Sequence, residues 1–137
     1  MTLKPNEKQD LSRHRIDRAH ALLHDAALLL RENSHASSAN RSYYAVLNAA
    51  KGLLILRGYD PETHAAVKTL LSRDFIKSGL LPKSFGEIFR SLQARRLDSD
   101  YGDYVEITAT EASDSLSRAG AFVQAVEDLA EKIIREG

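Results

Sequence analysis

Apolar residues recur at three- and four-residue steps along almost the whole chain, and no segment shows the two-residue alternation of a half-buried strand. That period admits one kind of solution, amphipathic helices packed face to face. Ile16, Ala19, Leu22, Leu23, Ala26, Leu29 and Leu30 mark a first long helix opened by Pro5 and Asn6 and running from Glu7 to Arg31. Asn33, Ser34 and His35 then break the pattern. Tyr43, Val46, Leu47, Ala50, Leu53 and Leu54 form the core face of a second helix, which starts near Ser37 or Ser38 and stops at Gly58. Its opposite face carries a polar stripe of Arg41, Tyr44, Asn48 and Lys51.

Thr63 caps a shorter helix bearing Val67, Leu70, Leu71, Phe75 and Ile76, closed by Gly79. Pro82 and Ser84 open a fourth, with Phe85, Ile88, Phe89 and Leu92 directed inward. Residues 98–103 read as an irregular, acidic connection. The run Thr108-Ala109-Thr110-Glu111 fits a capping box, and Leu116, Ala119, Phe122, Val123, Val126, Leu129 and Ile133 carry the last helix to the end. The expected fold is all-α, an antiparallel up-and-down four-helix bundle with an additional short helix, five helices in all. A length of 137 residues suits one core, so 1–137 is expected to form a single domain.

Charge narrows the function classes. The net charge is zero, yet residues 40–96 hold ten Lys/Arg against four Asp/Glu, while residues 97–137 hold three against ten. Folding basic helices against an acidic one would produce that asymmetry, and so would a basic groove for phosphate. Cysteine is absent, which excludes disulfides, thiolate metal sites and a cysteine nucleophile. No apolar run approaches the roughly 18 residues that span a bilayer, and the polar first ten residues lack a signal-peptide core. A cytoplasmic protein without membrane contact is expected. Asp17, His20 and His24 share a helix face but lack a further ligand, so a solvated face, no metal and no cofactor are expected. The scattered glycines form no phosphate-binding loop.

The segment Ser38-Ala39-Asn40-Arg41-Ser42-Tyr43-Tyr44-Ala45, followed by Asn48-Ala49-Ala50-Lys51, resembles the second-helix signature of the HEPN domain family. It is most similar to the small stand-alone bacterial and archaeal branch. Thr63-His64, Phe75-Ile76-Lys77-Ser78-Gly79-Leu80, Arg96-Leu97-Asp98-Ser99-Asp100-Tyr101 and Glu111-Ala112 continue the resemblance in order. What it implies is a helical bundle that forms a homodimer. The best-known members are RNA-cleaving toxins paired with a minimal nucleotidyltransferase antitoxin, and their motif is Arg, four to six residues, then His. Arg96 matches the Arg, but Tyr101, Gly102 and Asp103 fill the window, and no His lies C-terminal to it. Cleavage beside a ribose hydroxyl profits from groups that titrate near neutrality, which imidazole supplies. Tyrosine at about 10 and aspartate at about 4 do not, so the departure argues for weak or lost catalysis.

The residues themselves support a more general use. Guanidinium groups grip phosphate in two-pronged fashion and a tyrosine face stacks on a base, which makes Arg41, Tyr44, Arg95 and Arg96 the expected nucleotide- or RNA-binding set. His64 is either structural or a further phosphate contact. The alternative use of Arg96 is an internal ion pair with Asp100. Two rival functions stand beside the binding reading: an active metal-independent ribonuclease using Arg96 with Asp100, Tyr101 or His64, and a pure interaction module. In the toxin pairs the antitoxin transfers AMP to a tyrosine near the motif, which singles out Tyr101 and Tyr104 as possible modification sites, although neither matches the spacing strictly.

Overall fold

A computed structural model describes residues 2–101 and 106–137, with the side chains of Ser99 and Tyr101 outside the description. Five helices account for the fold, in the order α1 (Pro5–Arg31), α2 (His35–Ile55), α3 (His64–Leu71), α4 (Ser84–Tyr101) and α5 (Ala109–Glu136). A single π turn, Ser72–Ile76, extends α3. No strand occurs among the described residues. The all-α expectation holds.

The helix ends follow the local chemistry. Pro5 opens α1, and Glu7 Oε1 accepts the Lys4 backbone N–H at 2.8 Å. Thr63 caps α3 by accepting the Ala66 N–H at 3.1 Å. The capping box opening α5 is reciprocal: Thr108 Oγ1 accepts from Glu111 N, and Glu111 Oε1 accepts from Thr108 N, both at 3.1 Å. Gly58 and Gly79 have φ of 83° and 84°, left-handed values that terminate the preceding helical segments.

Four boundaries differ from the sequence reading, the first being α1, which begins at Pro5 rather than Glu7. Helix α2 begins at His35, two to three residues early, because Asn33 takes a left-handed φ of 62° and completes the reversal from α1 alone. Regular α2 ends at Ile55, and short turn bonds then carry the chain to Gly58. Helix α4 runs through Tyr101, where an irregular connection was expected from 98. No helix breaker precedes Gly102, and the Arg96–Asp100 ion pair at 2.9 Å spans the last turn at helical spacing.

Helix α2 occupies the middle. It packs against α1, α3, α4 and α5, whereas α3 packs on α2 and on its own π turn. The core combines Tyr43, Leu53 and Leu54 of α2 with Phe75, Phe89, Leu92 and Phe122, and Phe85 stacks on Phe122 at 5.1 Å between ring centres. Each such side chain, fully buried, contributes roughly 1.5–3 kcal/mol. Helix α1 approaches α2 closely at Gly52. A methyl group there would lie 3.1 Å from the Ser12 carbonyl oxygen and 3.1 Å from Ile16 Cγ1.

Replacing Gly52 by Val is therefore expected to lower unfolding stability by about 1–3 kcal/mol, because the neighbour is helix backbone and yields little. A urea titration reads this directly. An unchanged midpoint would mean that the two helices are not in contact at this crossing.

Candidate functional site

The polar stripe of α2 is the part of that helix which its neighbours do not bury. Between Ser38 and Ile55 only Asn40, Arg41, Tyr44, Asn48 and Lys51 retain exposure. Over this stripe lie the first residue of α3 and the last turns of α4, and their side chains meet it in one corner.

Tyr43 forms the base of the corner. Its ring is fully buried, edge-on to Phe89 at 5.8 Å and near Tyr44 and His64 at 5.4 and 5.5 Å. Its hydroxyl lies 2.9 Å from His64 Nδ1. Burial pushes the Tyr43 pKa up, well above the ordinary tyrosine value, so the phenol keeps its proton. The His64 pKa is lowered, first by burial and then by the positive charges of Arg96 and Lys51. With the phenol as donor, a neutral His64 carries its own proton on Nε2.

Arg96 closes the corner from α4. Its guanidinium lies 5.5 Å from the centre of the Tyr44 ring, within cation–π range, and its side chain is only 15% exposed. It pairs with Asp100, and Asn40 Nδ2 donates to the same carboxylate at 3.4 Å. Arg41 Nη1 in turn donates to Asn40 Oδ1 at 2.8 Å. A chain of polar contacts thus joins Arg41 to Arg96, beside a surface depression of about 220 Å³ lined by Ser37, Asn40, Arg41 and Asp100.

Three residues of the expected binding set, Arg41, Tyr44 and Arg96, come together with His64 and Asp100. Arg95 does not join them. One residue further back on α4, it turns to α5, where Nη1 donates to Asp114 Oδ2 at 2.7 Å, Ser115 Oγ at 3.0 Å and the Glu111 carbonyl at 3.2 Å. Successive helical side chains diverge by about 100°, so adjacent arginines cannot serve one cleft equally. Arg96 forms the internal ion pair with Asp100 that was one of its two expected uses, and its guanidinium also faces the Tyr44 ring. The sequence reading missed Tyr43 as a polar participant, because its place in the apolar stripe hides the hydroxyl. It also left out Lys51, whose place on the polar stripe was the available signal. The Tyr101 side chain and Tyr104 lie outside the described residues. On α1, His20 pairs with Glu127 of α5 at 3.1 Å.

The HEPN domain family model matches residues 12–129. A UPF0332 protein from Thermotoga maritima is 32% identical over 130 residues, which cover 95% of this chain and 98% of that protein. A protein from Methanocaldococcus jannaschii named "Putative toxin" is 28% identical over 110 residues, 80% of this chain and 81% of that one. The crystal structure of a protein from Thermus thermophilus superposes with a TM-score of 0.75 at 23% identity, covering 86% of this chain and 97% of the other. That last likeness is one of fold. No described helix is long and apolar enough to cross a membrane.

In a proton NMR titration of the five histidines, His64 is expected to titrate below 6.5, and Lys51→Ala to move it upward by removing a repelling charge. The linked stability is fully present above the unfolded value of about 6.5 and is lost as the pH falls through the lowered folded value. A His64 that titrates at or above 6.5 and ignores the Lys51 substitution contradicts the electropositive corner.

Proposed function

The chain belongs to the HEPN domain family, and from that starting point we propose that it is a toxin-like member which holds a nucleotide or RNA phosphate without efficient cleavage. The observation that carries this reading is the Arg96 guanidinium facing Tyr44 beside His64, with three helices contributing to one corner.

Each group has a task suited to its chemistry. Tyr44 offers a ring on which an unpaired base stacks. Lys51 and Arg96 supply the positive field that already disfavours an imidazolium at His64, and the same field favours an entering phosphate. His64, oriented by Tyr43, offers a neutral N–H. Asp100 opposes the anion and holds Arg96 in place meanwhile, so it tunes affinity downward. Efficient RNA cleavage asks for a base and an acid, both titrating near neutrality. No imidazole follows Arg96, the Tyr43 phenol is pushed away from neutrality, and His64 alone supplies one partner of the two.

A homodimer and a minimal nucleotidyltransferase as partner complete the proposal. The toxin-named relatives are the support for a paired component. The ribonuclease alternative keeps one observation in its favour, the neutral and oriented His64 beside Arg96.

Calorimetric titration with AMP and with a short 5′-phosphorylated RNA tests the reading. Arg96→Ala is expected to weaken binding by about tenfold to a hundredfold, as for loss of a charge-assisted contact worth roughly 1.5–3 kcal/mol. Asp100→Asn is expected to tighten binding by a few fold, since a competing carboxylate disappears. Failure of the wild type to bind either ligand would leave the interaction module. Cleavage of labelled tRNA that disappears in both Arg96→Ala and His64→Ala would replace binding by ribonuclease activity.

A further inference from the structure

Away from the corner, basic charge gathers on α3 and the start of α4. Residues 64–90 contain five Lys and Arg against two Asp and Glu. Asp74 pairs with Arg73 at 2.7 Å, and Glu87 pairs with Arg90 and accepts from Ser91. Lys68, Lys77 and Lys83 make no ion pair among the described residues. The acidic last helix does not answer this charge, because its carboxylates are engaged elsewhere: Asp114 with Arg95, Glu127 with His20 and Glu131 with Arg13.

These cations stand beside a groove. Helix α3 packs on α2 and on its own π turn, and α4 packs on α2 and touches that turn, yet α3 and α4 have scarcely any contact with each other. Between them lies a depression of about 300 Å³, near the lower end of ordinary ligand pockets. Leu71, Ile76 and Phe89 give it an apolar lining, and Lys68, Lys83 and Arg90 add charge. A second depression, of about 580 Å³, shares Lys68 and Ser72 with the first and adds Arg73 and Lys77. The first stays open because residue 86 is glycine. Neither backbone nor crowding asks for one there: its φ is not positive, and a Cβ would meet only Ile76 Cδ1, at 3.7 Å. A glycine inside a helix forfeits stability, and what it leaves here is space. The π turn Ser72–Ile76 lines the same depression through Ser72 and Ile76, and such turns recur at functional sites. In the connection 77–83 between the two walls, Leu80 is 44% exposed.

We propose that the groove between α3 and the start of α4 docks an acidic amphipathic helix of a protein partner, with aliphatic side chains entering over Gly86 and carboxylates meeting Lys68, Lys83 and Arg90. The groove shares no lining residue with the His64–Arg96 corner, so this inference stands apart from the phosphate reading. An apolar interior takes aliphatic side chains. It offers no ring for a base to stack on, since Phe89 is fully buried. The walls are helices whose backbone groups are already bonded, so an extended segment would gain no main-chain partners, whereas a helix brings its own. The unanswered lysines supply the sign of the charge on the occupant. A second copy of this chain fits poorly, because the acids of α5 are held by Arg13, His20 and Arg95.

Fluorescence anisotropy on the full chain tests this with a labelled helical peptide of about 16 residues, leucines at i, i+3, i+4 and i+7 and glutamates beside them. The wild type is expected to bind it saturably. Gly86→Leu fills the depression and is expected to weaken binding by about tenfold to a hundredfold, the range for excluding one aliphatic anchor. Its melting midpoint is expected to hold or rise, since leucine is the better helix former. A second variant, Lys68→Glu/Lys83→Glu, is expected to weaken binding by roughly tenfold or more and to flatten its salt dependence. The same peptide with serine in place of leucine is expected not to bind. No saturable binding by the wild type overturns the proposal, and so does binding that both variants leave intact. Equal affinity for the serine peptide marks a general polyanion surface and overturns it. A 12-nucleotide RNA that displaces the peptide, dependent on the lysines and indifferent to Gly86→Leu, overturns it in favour of nucleic acid.

Discussion

Helix α2 gives up nearly its whole circumference to other helices, and that demand governs the remaining structure. A helix surrounded on most sides can be approached closely only where its side chains are small. Ala39, Ala45, Ala49, Ala50 and Gly52 meet that need, and Tyr43, Leu53 and Leu54 fill the wider gaps. Ser38 stays buried because its hydroxyl donates to the Ala26 carbonyl of α1 at 2.8 Å. The neighbours can surround α2 only if one strip is left to water, since Arg41 and Lys51 cannot be buried without partners. The uncovered strip is where the corner forms.

Its electrostatics follow from that position. Burial holds Tyr43 protonated, and burial together with Arg96 and Lys51 holds His64 neutral. The hydrogen bond between them is thus a neutral contact set beneath two cations. Asp100 offsets part of the positive field and fixes the guanidinium against Tyr44. On the proposed reading, such a site takes an anion that brings its own charge, and among the described residues His64 is its one imidazole.

Much of the fold could be read from the chain because helix formation is local. Period, Thr63, the Thr108–Glu111 pair and the glycines at 58 and 79 are signals that sit within a few residues of what they cause. The end of α4 was missed because a run of polar, acidic residues looks like a connection, while its helix is supported by an ion pair that composition does not display. Much of the site depends on distant pairs. Arg95 and Arg96 are indistinguishable as neighbours in sequence, and only the placement of α5 decides which of them is taken by Asp114. Tyr43 counted as core on its period, which is correct for its ring and silent about its hydroxyl.

Phosphate recognition at the meeting point of α2, α3 and α4 is the claim on which the functional account stands. The most direct measurement is a backbone and arginine side-chain NMR titration with a 5′-phosphorylated oligonucleotide. The account expects the largest shifts at Tyr44, Lys51, His64 and the Arg96 Nε–H, fading toward α1 and α5. Shifts centred on the α1–α5 face, with that corner silent, would contradict it.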